Sequence, residues 1–221
     1  DGVTISQTNY VTSSLVDNGY SSYSSSTNER VGYVSAVNVQ EPKLIINGGT
    51  FDGGMNTIKN DDNATLEING GTFSNNIQVA VMNWNKATIN GGVFNVPTGN
   101  DKTTVFNGFD GDQSVDKGIL TITGGTFNAD YALEGNVGTT NLVKITGGNF
   151  NVAKDLINPN TKITYTALTK GGTVITGGYF TINPTSYKNS TYVIIDNPGT
   201  VVSNTNYKYQ VVETYNKVVS D

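Results

Sequence analysis

The chain of 221 residues contains no cysteine and no histidine, and only one tryptophan and one arginine, Arg30. Without cysteine there are no disulfides and no thiolate nucleophile. With histidine absent as well, the usual zinc sites, Cys/His dyads and the Ser-His-Asp triad are excluded. Charge is scarce: Asp, Glu, Lys and Arg make up 14% of the chain, with a formal net charge of -5 and no cluster of Lys or Arg. A nucleic-acid backbone requires the opposite balance, so nucleic acid is not an expected partner. No apolar run reaches the roughly 18 residues of a spanning helix, and membrane insertion is not expected. Glycine outnumbers proline by 26 to 5 but shows no three-residue period, which excludes collagen. The chain opens on Asp1 without Met or a signal-like segment, and the expectation is a piece of a longer protein.

What the sequence does contain is one phrase six times: IINGGTF, EINGGTF, TINGGVF, TITGGTF, KITGGNF and VITGGYF. The phrases end at Phe51, Phe73, Phe94, Phe127, Phe150 and Phe180, at spacings of 22, 21, 33, 23 and 30. A period near 22, lengthened by insertions, is the mark of a solenoid. Ahead of each Gly-Gly the residues alternate. Leu44/Ile46, Leu66/Ile68, Ala87/Ile89, Leu120/Ile122, Val143/Ile145 and Thr173/Ile175 are therefore expected to point inward. Such a strand is not stable alone, but stacked on its equivalents at about 4.8 Å it builds a parallel sheet. One period is long enough for three short strands and three turns, the coil of a parallel β-helix. No helix-length apolar period separates the strands, so a βαβ crossover is excluded.

The Gly-Gly pair is read as a turn that leaves no side chain to clash with neighbouring coils. No GxGxxG or GxxxxGK pattern accompanies it, so it is not a phosphate loop. Six of the eight Phe residues occupy one position of the phrase, which predicts a stacked column inside the solenoid. A second column, Asn47, Asn69 and Asn90, then Thr123, Thr146 and Thr176, is expected to stabilise the turns by amide stacking and aligned hydroxyls. IQVAVMNWN at 77–85 and TTVFNGF at 103–109 are expected as strands of another face. Residues 96–102, 110–118 and 157–172 are expected as loops, with an extra strand at KITYTAL.

The single domain, 1–221, divides into an N-terminal coil or cap at 1–42, six coils at 43–180 and a C-terminal cap at 181–221. GVTIS and VSAVNV are candidate strands of the opening coil. TYVIIDN and YKYQVVETY are candidates for a hairpin over the last Phe, since an open solenoid end recruits other chains. The repeats, together with GGYFTINPTSY at 177–187, TYVIIDN at 191–197 and YKYQVVE at 207–213, resemble the right-handed parallel β-helix, pectin-lyase-like superfamily. More closely they resemble repetitive surface proteins of Gram-positive gut bacteria. The resemblance covers about residues 40–221. It implies an all-β, right-handed parallel β-helix with capped ends, in an extracellular setting on the cell surface or secreted.

Pectin-lyase-like folds include lyases and glycoside hydrolases. Asp61, Asp62, Asp110 and Asp112 are the carboxylates that such chemistry would draw on. Adjacent Asp61 and Asp62 would point oppositely in a strand, GFDGD reads as a turn, and the His and Arg-x-Lys elements of polygalacturonase-like enzymes are missing. No catalytic residue and no cofactor is therefore assigned, with weak calcium binding at Asp110 and Asp112 as the alternative. The expected function is a non-catalytic adhesin-like module that binds a host glycoprotein, an immunoglobulin or a glycan. Candidate contacts are the aromatics outside the Phe column: Trp84, Phe106, Phe109, Tyr20 and Tyr23. A stalk spacer and a polysaccharide lyase or hydrolase are the alternatives.

Overall fold

A computed structural model describes residues 2–8, 12–19, 23–24, 29–30, 41–61, 64–108, 118–135, 142–159 and 173–214. The described residues contain no α-helix and build a solenoid of parallel strands, a parallel β-helix with three walls. The first wall stacks Lys43–Ile46, Thr65–Ile68, Lys86–Ile89, Ile119–Ile122, Leu142–Ile145 and Thr173–Ile175. Every pair is parallel and in register, for example Leu66 beside Ala87 and Ala87 beside Leu120. The second wall begins with Thr4–Ser6, continues through Thr50–Asp52, Thr72–Ser74 and Val93–Asn95, and ends at Gly178–Phe180. The third stacks Val16–Asn18, Asn56–Asn60, Val79–Asn83 and Thr103–Asn107.

Two long strands, Thr126–Gly135 and Asn149–Ile157, belong to both the second and the third wall. They turn the corner without a break, and the register between them shifts at Ala129/Tyr131, where Ala153 and Lys154 of the later strand oppose the single residue Asp130. The later strand thus extends through Ile157, the first residue of the loop expected at 157–172.

The first wall buries the alternate aliphatics the pattern predicts, with Leu66, Ile68, Ile89, Leu120 and Ile122 fully enclosed. The six Phe rings form one interior column, with successive centroids 5.1, 5.0, 4.9, 4.9 and 4.9 Å apart and nearly parallel planes. These distances are set by the strand spacing, so the rings stack because the coils do. Ring stacking continues across the longest repeat, from Phe94 to Phe127.

From the second coil onward, the first glycine of each pair at the Gly-Gly corner has no room for a side chain against the coil before it. A Cβ on Gly124 would lie 2.3 Å from Asn90 O of the preceding coil, and Gly125 has φ of 96°. Beside it, Asn69 Nδ2 donates to Asn47 Oδ1 (2.9 Å), Asn90 Nδ2 to Asn69 Oδ1 (2.8 Å) and Thr123 Oγ1 to Asn90 Oδ1 (2.8 Å). The Thr half differs from the expected alignment of hydroxyls. Thr146 and Thr176 donate instead to the backbone carbonyls of Ile122 and Ile145 in the preceding coil, because two hydroxyls one strand spacing apart are too short to meet each other.

A second, buried amide column closes the corner between the third and first walls. Asn18 Nδ2 donates to Asn60 Oδ1 (2.8 Å), Asn60 Nδ2 to Asn83 Oδ1 (2.8 Å) and Asn83 Nδ2 to Asn107 Oδ1 (2.7 Å). Each Nδ2 also meets backbone carbonyls at the turn, such as Ala64 O for Asn60 and Ile119 O for Asn83. The column stops at Asn107, whose register neighbour is Gly135.

At the C-terminal end, Tyr209–Glu213 pairs antiparallel with Gly178–Phe180 and with Tyr192–Asp196, and places Tyr209 opposite Phe180. Tyr207, fully buried, fills the space beside Tyr179. VSAVNV and KITYTAL lie outside the described residues.

Candidate functional site

Of the aromatics singled out from the sequence, Trp84 and Phe106 come together on the outer side of the third wall. Phe109 and Tyr20 lie outside the described residues, as do Asp62, Asp110 and Asp112. Tyr23 falls in a short strand, Tyr23–Ser24, paired antiparallel with Glu29–Arg30.

Strand register builds an outward row on the third wall: Asp17, Lys59, Met82, Phe106 and Glu134, one residue per coil. Met82 and Phe106 pack with Val79 and Trp84 into a buried cluster separate from the main core. Neither Trp84 nor Phe106 offers an open ring face, since each is only 8% exposed. Lys59 Nζ sits 4.2 Å from the centre of the Trp84 ring, a cation–π contact. The same ammonium pairs with Asp61 at 2.7 Å and with Asp17 at 3.8 Å. Burial pushes the Asp61 carboxyl up to about 6, against the opposing pull of Lys59. Asp61 therefore serves a closed ion pair and does not face a cavity.

The other end of the row opens into a pocket. Its volume is about 250 Å³, and Phe106, Val79, Thr103, Lys102, Glu134 and Asn158 border it. Glu134 Oε2 accepts from Thr103 Oγ1 (3.0 Å) and Asn158 Nδ2 (3.2 Å). Asn158 Nδ2 also reaches Asp101 O at 2.8 Å, so one amide ties the third wall to the loop 97–102.

Asp130, which faces the bulge at Ala153 and Lys154, holds that loop from beneath. Its Oδ2 accepts from the backbone N–H groups of Gly99 (2.8 Å) and Asp101 (2.9 Å). Burial alone would raise the Asp130 carboxyl; these two N–H donors and Lys154 outweigh it and hold the group below the usual range. Asp101 takes a left-handed backbone, φ 56°, and receives Lys154 Nζ at 2.5 Å. That contact raises the Lys154 ammonium above its ordinary value. Lys102 Nζ donates to Asn76 O and clasps the loop to the preceding coil.

A second hollow, of about 340 Å³, lies across this clasp. Asp52, Ser74, Asn76, Asn95, Val96 and Asn128 line it. Asp52, Ser74, Asn95, Asn128 and Asn151 occupy one outward row of the second wall. Asn151 Nδ2 donates to Asn128 Oδ1 (3.0 Å) and Asn128 Nδ2 to Asn95 Oδ1 (2.8 Å).

The pocket residues come from four coils and carry no local motif, so sequence reasoning missed Glu134, Asn158, Thr103 and Asp101. Among the described residues, no group of three or more Asp or Glu side chains could hold a metal ion. In comparisons, the chain matches no family model, and neither the curated proteins nor the solved structures give a significant match.

Proposed function

We propose that this chain is a non-catalytic binding module of a bacterial cell-surface protein, and that the pocket beside Phe106 receives a sugar ring of a host glycan or glycoprotein. The observation that carries the reading is the pocket's construction. An apolar edge from Phe106 and Val79 meets a hydrogen-bonded set of acid, amide and hydroxyl from Glu134, Asn158 and Thr103. An apolar face beside a few fixed polar groups is what orients a small polar ligand. The loop over it is anchored at Gly99, Asp101 and Asn158, so binding orders little that is not already ordered.

The surface setting follows from the resemblance of the repeat and C-terminal segments to pectin-lyase-like surface proteins of Gram-positive gut bacteria. The non-catalytic reading is supported by how the two bordering carboxylates are used. Glu134 accepts from Thr103 and Asn158, and Asp101 accepts from Lys154 and from Tyr131 OH at 3.4 Å. Both work as acceptors that position neighbours.

An array of neutral and acidic glycans and host glycoproteins, immunoglobulins included, tests the proposal. Capture is expected for the native chain and is expected to be lost in Phe106→Ala and Thr103→Val variants with unchanged circular dichroism. Cleavage of any arrayed polysaccharide, abolished by Glu134→Gln or Asp101→Asn, would replace the binding reading with a catalytic one.

A further inference from the structure

The pocket beside Phe106 and the hollow beside Asn95 are one residue apart. Asn76 lines the hollow and Ile77 lines the pocket. A single peptide unit, about 3.8 Å between Cα atoms, carries the surface from one to the other. The ridge between them is low and fixed, being the clasp of Lys102 on Asn76 O.

The hollow is furnished differently from the rest of its wall. Its amide row ends at Asn95, which accepts from Asn128. Among the described residues, the Asn95 Nδ2, the Ser74 hydroxyl and the Asp52 carboxylate have no partner. Along the row, one coil apart, stand a donor, a hydroxyl and an anionic acceptor, with the Val96 and Pro97 surface beside them. This is a polar track on an apolar bank, and it is continuous with the pocket.

The charges restrict what can lie there. The hollow contributes Asp52, and the pocket contributes Glu134 and Asp101. The neighbouring cations are engaged: Lys102 with Asn76 O, and Lys154 with Asp101 and with Asp130 at 3.5 Å. A uronate or sialylated chain would bring carboxylates against carboxylates, whereas hydroxyls donate to them well.

We infer that the ligand is a neutral glycan oligomer, with one sugar ring in the pocket beside the edge of Phe106 and the following units crossing the Lys102–Asn76 clasp to hydrogen-bond Asn95, Ser74 and Asp52. This rests on the reading above that the pocket takes a sugar, and adds its class, its minimum extent and its path. The path leaves the pocket around the coil, from Ile77 to Asn76, and then runs along the stack from Asn95 to Ser74 and Asp52.

Titration calorimetry on the whole chain tests it. The probes are mono-, di- and trisaccharides of the gluco, manno, galacto and N-acetylglucosamine series, with oligogalacturonates of matched length. One neutral series is expected to gain about tenfold or more in affinity from monosaccharide to trisaccharide. The matched oligogalacturonate is expected to bind about tenfold more weakly. Ser74→Arg, which fills the hollow from an outward position, is expected to bring the trisaccharide down to the monosaccharide's affinity. Asp52→Asn, isosteric and exposed, gives a severalfold loss for the trisaccharide and serves where the bulkier variant fails to fold. Equal affinity for all lengths would overturn the inference and leave the pocket as a single-ring site. Tighter binding of oligogalacturonate would overturn the neutral class. No binding of any sugar would overturn both the inference and the function proposed above.

Discussion

At the corner between the first and second walls the chain turns on paired glycines, where an added Cβ on Gly124 would meet Asn90 O at 2.3 Å. At the corner between the third and first walls it turns beside Asn83, whose buried amide donates to Asn107 Oδ1, Asn85 O and Ile119 O. Both corners must pass a chain reversal through a stack whose layers are about 4.8 Å apart. One does so by having no side chain. The other does so by having one side chain that satisfies the carbonyls the turn strands. Glycine corners look to water for their remaining polar groups, whereas the buried corner has to supply its own partners. The comparison predicts that the two corners fail for different reasons.

The largest effect is expected at the buried corner. Asn83→Ala leaves Asn107 Oδ1 and the turn carbonyls without their donor, at about 1–3 kcal/mol for each group left unmet. A loss of roughly 3 kcal/mol or more in denaturant unfolding is expected, and a loss below about 1 kcal/mol would mean that water replaces the amide. Next comes Gly124→Ala, a steric insertion against backbone that should cost about 1–3 kcal/mol. Its control is internal. Gly48 occupies the same place in the first glycine corner, where an added Cβ would meet nothing within 4 Å, so Gly48→Ala should fall within about 0.5 kcal/mol of the native chain. Equal costs at the two positions would remove the stacking explanation.

A subtler contrast concerns pH. The folded Asp61 carboxyl is raised from 3.8 to about 6, so the folded state binds the extra proton between those values. Its contribution to stability is full below the lower value and is lost as pH rises through about 6. Asp130 has the opposite sign: held low, it contributes above its ordinary value and is lost in stronger acid. Asp61→Asn is therefore expected to flatten the fall in Tm between pH 4 and 6 and to leave the acid limb in place. An unaltered slope would assign that window to other groups. The smallest effect is expected for Asn69→Ala in the exposed column, within about 0.5 kcal/mol, since water replaces its partners.

Much of the fold was legible because its repeat is rigid. The spacing from the inward aliphatics through Gly-Gly to Phe never changes, so the first wall, the glycine corner and the Phe column could be read from the residues. The third wall was not legible in the same way. Asn60, Asn83 and Asn107 lie at different distances from the preceding Phe, because the coils differ in length on that side, and this hid the buried amide column. The outward row was missed for the same reason, since Lys59, Met82, Phe106 and Glu134 align only once the coils are stacked. Trp84 stood out as an aromatic off the column, but its burial depends on a tertiary contact with Lys59 that no local pattern encodes. Asp130 is the clearest case. Its placement at a bulge and its hold on a loop about thirty residues earlier in the chain are long-range facts.

The two amide columns also have opposite senses. In the buried column each Asn donates to the coil that follows it in the chain, from Asn18 to Asn60 to Asn83 to Asn107. In the exposed column Asn69 donates back to Asn47, and Asn90 back to Asn69. Synthesis delivers the earlier coil first. A completed coil thus holds out a donor at one corner and an acceptor at the other, and the newcomer arrives with the complementary pair. Docking upside down would set donor against donor at the buried corner and acceptor against acceptor at the exposed one. The solenoid carries its own polarity check, applied at each of the coils that hold both columns as the chain is laid down.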